Sequence, residues 1–204
     1  MSNRTISLIT SSKQKEKFYE LSFRVKNVDL RLVTQQFEFQ DLQSLQEIEV
    51  LQHKIDQAIK RFYPPFCLDS EGFYIEGLPA FPGTLSRLVI QGMGWSNLLE
   101  LIKNKTVTIF CNLAFVDSAG QAHIYSKSTS GTMQLTPQII SSANTIFDFF
   151  TPEKQQLTLT QCKSNADFLW LFPRDKVIDQ LVKSKPFENE FSRTKNTIST
   201  TDYL

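Results

Sequence analysis

The spacing of apolar and polar positions divides the chain into short apolar runs and longer amphipathic ones. Ile6–Ile9 (ISLI) predicts a short buried strand, ended by Thr10-Ser11-Ser12. A serine there can cap the helix that KQKEKFYEL predicts over 13–21. Asp29–Gln36 (DLRLVTQQ) predicts a second strand. Over Leu45–Phe62, residues Ile48, Leu51, Ile55, Ala58, Ile59 and Phe62 recur at helical spacing, the strongest helical signal in the chain. Tyr63-Pro64-Pro65 stops that helix. Phe66–Leu68 predicts a short buried strand running into a turn at Asp69-Ser70-Glu71-Gly72.

The second half is predicted in the same way. Pro79–Gly83 reads as a loop, followed by helices near Thr84–Gln91 and Ser96–Lys103. Thr106–Asp117 and Gln121–Lys127 predict a hairpin turning at Ser118-Ala119-Gly120, and Met133–Leu135 extends the sheet. Residues 136–164 carry no clear period apart from the cluster Phe147, Phe149 and Phe150. Phe168–Phe172 (FLWLF) predicts a buried strand, Lys176–Val182 a short helix, and 194–204 a frayed Ser/Thr-rich tail. Strands alternating with helices predict an α/β protein with a central sheet. At 204 residues the chain reads as one domain, 1–204.

Composition narrows the function. Lys plus Arg is 22 and Asp plus Glu is 21, a net charge of +1. That argues against coating nucleic acid or an anionic membrane. Seven glycines argue against a glycine-rich phosphate cradle, and 17 phenylalanines predict an aromatic-rich core. Cys67, Cys111 and Cys162 give no CxxC pair and no disulfide framework; the first two lie in apolar runs and read as buried thiols. His53 and His123 have no partner at zinc spacing. The N-terminal segment does not read as a signal peptide, no apolar run reaches about 18 residues, and a reducing cytoplasm is the expected compartment. Carboxylates, lysines and a hard oxygen-bound metal are therefore the expected chemical agents.

Three features fit such chemistry. A strand followed by Thr10-Ser11-Ser12-Lys13-Gln14-Lys15 and a helix offers hydroxyls, lysines and a helix N-terminus to a phosphate group. The same residues also make an ordinary serine cap with solvated lysines. Glu49 and Lys54 lie five apart on the long helix, about 140° around its axis, so they are not an i,i+4 pair. Glu49 faces either the strand ends or solvent. Asp69-Ser70-Glu71-Gly72 follows a buried strand, where α/β proteins place reactive groups. Two carboxylates there could hold Mg²⁺ with a triphosphate, or form a plain polar turn.

In this order the three features resemble the inosine triphosphate pyrophosphatase family. Thr10 and Lys15 match the family's T-G-N-x-x-K, with Ser11 and Ser12 in place of Gly and Asn. Glu49, Lys54 and Ala58 match E-N-A-x-x-K-A-x-x-A. Leu68-Asp69-Ser70-Glu71-Gly72 resembles D/E-D-S/T-G-L but has lost the first carboxylate and gained Glu71. Gly77–Gly83 resembles G-G-x-P-G, and Thr129-Ser130-Gly131 resembles T-S-G. Lys163–Pro173 resembles G-F-G-Y/W-D-P-x-F-x-x-P through Asp167, Trp170 and Pro173, with Ser164 at the base-stacking aromatic and Ala166 at the Tyr/Trp position. Lys185–Arg193 resembles E-K-x-A-x-S-H-R without its histidine, and 136–163 is a longer connection than usual.

The resemblance implies a long twisted mixed sheet flanked by helices, two lobes around a nucleotide-binding cleft, and a homodimer. It implies hydrolysis of a nucleoside triphosphate between its α and β phosphates. Thr10, Ser12, Lys15 and Ser70 would hold the phosphates. Glu49, Asp69 and Glu71 would be the carboxylates for Mg²⁺ (or Mn²⁺), with Asp69 orienting or activating the water. Lys54 would neutralise developing charge. Asp167, Lys185 and Arg193 would face the base. The loss of the stacking aromatic and the histidine implies altered base recognition, to which Phe147, Phe149 or Phe150 could contribute. The alternative is an inactive relative that binds nucleotide or a protein partner.

Overall fold

A computed structural model describes residues 4–103, 105–134, 145–162 and 166–192, the side chains of 166, 167 and 192 apart. The elements are β1 Thr5–Ile9, α1 Lys13–Val25, β2 Arg31–Gln35, α2 Glu47–Ile59, β3 Phe66–Ile75, β4 Leu78–Gly83 and α3 Ser86–Leu101. There follow β5 Thr106–Val116, β6 Ala122–Met133, α4 Ile146–Phe149, β7 Phe150–Pro152, α5 Leu159–Cys162, a 3₁₀ helix Ala166–Leu171, α6 Pro173–Val182 and α7 Lys185–Ser192.

The strands form one mixed sheet in the order β2-β1-β3-β5-β6-β7, with β4 also on β3. β1 pairs parallel with β2 and β3, while β3, β5, β6 and β7 are antiparallel. β5 takes the whole of one edge of β3, from Phe66↔Val116 to Ile75↔Val107. The other edge is shared. β1 meets it at Phe66 and Cys67, and β4 meets it from Phe73 onward. Between them, Leu68 to Gly72 pair with no strand on that side among the described residues.

Successive strand residues point to opposite faces, so β3 sorts its own side chains. Phe66 and Leu68 join Leu51, Ile55 and Ala58 of α2 in a small apolar cluster. Cys67, Phe73 and Ile75 join the larger core of α1, α3 and α6. Cys67 and Cys111 are both buried in strands, as their apolar surroundings predict.

Several expectations are corrected. Asp69–Gly72 is not a turn but the middle of β3. The Pro79–Gly83 loop is most of strand β4. FLWLF is not a strand but lies largely in the 3₁₀ helix. α6 begins at Pro173, three residues before the predicted start, and α7 was not foreseen. The two helices predicted after residue 84 are present as α3, broken at Gly94 (φ 72°, ψ 159°). Leu135 and residues 136–144 of the predicted connection lie outside the described residues.

Candidate functional site

The unpaired stretch of β3 opens a cleft of about 730 Å³. Its position, beyond the carboxyl end of β1 where β1 stops short along β3, is where open α/β sheets place ligands. Asp69 and Glu71 are two apart on β3, so both project toward α1 and α6. Leu68, at the position of the missing carboxylate, points the other way and is fully buried against α2.

Asp69 is the centre of a charged cluster. Lys15 Nζ, from the first turn of α1, pairs with its Oδ1. Arg174 Nε, from the first turn of α6, donates to Oδ2 at 2.9 Å, and the Tyr19 hydroxyl donates to the same oxygen at 3.2 Å. The other arm of Arg174 pairs with Glu71. The Asp69 side chain is 3% exposed and that of Arg174 is 4% exposed. An unpaired charge this deep would be costly, so each group holds the other in place.

Titration follows from that packing. Burial alone would raise the Asp69 carboxyl, but Lys15 and Arg174 outweigh it and hold it below the usual carboxylate range. Burial opposes charge on Lys15, yet Asp69 and Glu71 raise its pKa. Arg174 is raised by Glu71 and Asp69 against its own burial. Burial raises the Tyr19 hydroxyl, and Asp69 adds to the shift, so it remains a donor. Lys54 differs. Burial, then repulsion from Lys15, lowers its pKa, and Asp69, Asp41 and Glu71 only partly oppose this. Its ammonium lies 5.8 Å from the centre of the Phe39 ring.

The predicted phosphate residues are partly brought together. Ser12, Lys15, Lys54, Ser70 and Glu71 line the cleft, with Asp69 against Lys15. Ser12 caps α1, its Oγ accepting from the Lys15 N–H. Thr10 is buried behind it and accepts from the Ser12 N–H. Glu49 is exposed, accepts from the Ser44 hydroxyl and does not line the cleft.

The base-facing set is not assembled. Lys185 is exposed at the start of α7 and away from the cleft lining, while the Asp167 side chain and Arg193 lie outside the described residues.

The residues do not fit a resident divalent ion. Both Asp69 oxygens are taken, Glu71 is held by Arg174, and Glu49 lies elsewhere. Among the described residues no three His, Cys, Asp or Glu side chains form a metal-holding group. Lys15, Lys54, Arg87 and Arg174 are matched in number by Asp41, Asp69, Glu71 and Asp148, and the α1 N-terminus adds a positive dipole end beside Lys15.

Arg174 and Arg87 escaped the sequence reading. Arg174 is the arginine of the cluster, and Phe172-Pro173-Arg174 ends in arginine as S-H-R does. Proline at the first helical position was the available signal for a helix starting there. Arg87, at the head of α3, pairs with Asp41 across the cleft mouth, and the neighbouring Thr84 hydroxyl donates to the Ser44 carbonyl. Phe147-Asp148, then Phe150 and Pro152, repeat the aromatic-Asp-Phe-Pro order sought at 163–173, two residues shorter. Phe147 and Asp148 line the cleft.

The fold and site together define an α/β protein with a charged cleft at the open edge of a central strand. Comparison gives the family: the Ham1 family pattern matches residues 6–167, and the chain belongs to that family. A dITP/XTP pyrophosphatase of Thermococcus kodakarensis is 30% identical over 109 residues, 52% of this chain and 57% of the relative. The inosine triphosphate pyrophosphatase of Kluyveromyces lactis is 24% identical, over 61% of this chain and 66% of its own. The chain thus spans less than two thirds of the length of these relatives.

Solved structures agree on the fold. A HAM1 protein of Coxiella burnetii matches with a TM-score of 0.61 at 15% identity, covering 86% of this chain and 96% of its own. A nucleoside-triphosphatase (dITP/XTP pyrophosphatase) of Mycobacterium abscessus matches at 0.58 and 16%, covering 87% and 100%. Among the described residues no helix is long and apolar enough to cross a membrane.

Proposed function

We propose that this chain hydrolyses a nucleoside triphosphate between its α and β phosphates, releasing a monophosphate and pyrophosphate. The observation that carries the proposal is the Lys15–Asp69–Arg174–Glu71 cluster, with Lys54 beside it, at the open edge of β3 in a Ham1 fold. The names of the sequence relatives support the same reaction.

In this reading the triphosphate draws Lys15 from Asp69 Oδ1, and the freed oxygen orients the attacking water. The water oxygen bonds to the α phosphorus as its bond to the α–β bridging oxygen breaks, pyrophosphate leaves with the electron pair, and the water's proton passes to solvent. Arg174 stays on Asp69 Oδ2 and keeps the carboxylate charged, so Asp69 aims the water rather than storing its proton. Lys15 and Lys54 take up the charge that develops on the phosphate oxygens. Mg²⁺ or Mn²⁺ enters as part of the nucleotide substrate. The homodimer that the resemblance implies and the cytoplasmic location expected from the sequence belong to the same proposal, and sedimentation of the purified chain tests the dimer.

One observation favours a second reading, nucleotide binding without hydrolysis. Both Asp69 oxygens are capped by protein donors in the free chain. Pyrophosphate release from a panel of ribo- and deoxyribonucleoside triphosphates, with Asp69→Asn alongside, separates the two. Hydrolysis expects release that Asp69→Asn lowers by about 10²–10⁴-fold. Thermal stabilisation by nucleotide with no release gives the case to the binding protein.

A further inference from the structure

One face of α1 carries four polar side chains, Lys15, Tyr19, Ser22 and Lys26, at helical spacing. They serve two buried carboxylates. Lys15 and Tyr19 reach Asp69 on β3. Ser22 and Lys26 reach Asp175 on α6: the Ser22 hydroxyl donates to Oδ1, and Lys26 Nζ donates to Oδ2 at 2.8 Å. Ser22 is fully buried and the Asp175 side chain is 4% exposed. Asp175 does not line the cleft.

Asp175 directly follows Arg174 in the first turn of α6. The two neighbours send their charges to different elements. Arg174 goes to Asp69 and Glu71 on β3, and Asp175 goes to α1. The helices α1 and α6 are therefore joined twice, once through Asp69 and once directly through Asp175. Phe18 also packs on Phe172 across this seam, with ring centres 5.1 Å apart. Apolar packing holds helices close without direction, whereas hydrogen bonds to both oxygens of one carboxylate fix their register. A buried ion pair is a poor source of stability compared with apolar packing, so register is what this one contributes.

We infer that Asp175 is a positioning residue, which ties the first turn of α6 to α1 and so keeps Arg174 Nε on Asp69 Oδ2 when Lys15 leaves Oδ1. The inference deepens the hydrolase reading and rests on it for its kinetic part. In that reaction the triphosphate draws Lys15 away, and Asp69 loses one of the two cations that orient it. The direction of the freed Oδ1 then depends on the Arg174 bond to Oδ2. Arg174 holds that direction only while its backbone is fixed, and Ser22 and Lys26 fix the backbone one residue along. Asp175 itself touches neither the substrate nor the reacting atoms.

Asp175→Asn tests this. The amide keeps the shape and an acceptor for Ser22 but loses the charge. Lys26 is not stranded, because Asp179 Oδ1 lies 4.0 Å from its Nζ. Two readouts are taken on the full chain below its unfolding temperature. One is kcat and KM for pyrophosphate release, and the other is hydrogen exchange of the Arg174 Nε–H by NMR, assigned through its side-chain carbons. Val177→Ala removes core volume from the same helix without removing a charge, and it controls for lost stability. Asp175→Asn is expected to lower kcat about 10- to 100-fold with KM within about twofold, and to speed Nε–H exchange about 10-fold. Val177→Ala is expected to lower the unfolding temperature and leave both readouts as in the wild type. Ser22→Ala, which keeps both charges, takes the place of an Asp175→Asn chain that does not fold, with the same changes in smaller measure.

A wild-type kcat in Asp175→Asn overturns the inference. So does a kcat loss with unchanged Nε–H exchange, or one that Val177→Ala shares. Wild-type protein that releases no pyrophosphate overturns the hydrolase reading instead. The Nε–H exchange then decides the inference alone: faster exchange in Asp175→Asn supports the positioning of Arg174, and unchanged exchange overturns it.

Discussion

The two ends of the cleft are built by opposite means. At the charged end, Lys15, Asp69, Glu71 and Arg174 come from three elements far apart in sequence, and Asp69 and Arg174 are buried only because charged partners neutralise them. At the aromatic end, rings pack on rings, and one of them keeps a side open to the cleft. The charged end ties its ligand-facing groups to folding. The aromatic end exposes a surface that folding needs little. Damage to the first should register in stability, and damage to the second in affinity.

The strongest way to break that contrast is Arg174→Met. It leaves Asp69 and Glu71 without their guanidinium and is expected to cost about 3–5 kcal/mol. Thermal unfolding should drop by about 10 °C, given roughly 2–4 °C per kcal/mol for a chain of this size. Phe147→Leu, at the other end, should cost under about 1.5 kcal/mol. Equal losses would dissolve the distinction. Acid titration sharpens it further. Because the folded-state pKa of Asp69 is depressed, its stabilisation is present above the ordinary carboxylate range and is lost only as pH falls through the lowered value. Arg174→Met removes part of that depression, so its acid unfolding should begin at a higher pH than in the wild type.

Gly72→Ala comes next. A Cβ there would overlap the Gly83 carbonyl oxygen and the Phe110 ring. An expected cost of about 1–3 kcal/mol, read by urea unfolding, reflects overpacking where β4 returns to β3. Lys54 gives a subtler signal. Its charged form is disfavoured in the free protein, so its unfavourable contribution fades as pH rises through the lowered pKa toward the ordinary lysine value. Tripolyphosphate affinity should fall over the same alkaline window, below the usual lysine range of about 10.4. Lys54→Arg should keep binding flat there, as calorimetry at stepped pH would show. The smallest effect belongs to Arg87→Ala. Its pair with Asp41 is largely exposed and is worth about 0–1 kcal/mol, so thermal unfolding should hardly move.

Legibility followed the same division. Lys15, Lys54 and Asp69 could be found from short patterns because local spacing carries them. The strand under Asp69 could not. Asp-Ser-Glu-Gly has the composition of a turn, and only pairing with the apolar run Val107–Val116 of β5 draws it into β3. The charges it carries mid-strand are tolerated because Lys15 and Arg174 arrive from elsewhere. Arg174 was missed for a related reason. A helix start carries little motif of its own beyond its proline, and a Phe-rich sequence offers many aromatic registers. FLWLF looked like a strand because a short apolar run has no period of its own.

The unequal sharing of β3 also has a mechanical side. Ten consecutive β3 positions are tied to β5, and this rail runs unbroken beneath both β1 and β4. The two halves of the molecule cannot swing apart without bending that rail and breaking its ladder. The segment around Asp41 and Ser44 and the head of α3, ahead of its break at Gly94, are fastened to each other by side chains instead of a strand ladder. The charged floor of the cleft therefore rests on the longest ladder of β3, and its edge on side-chain contacts.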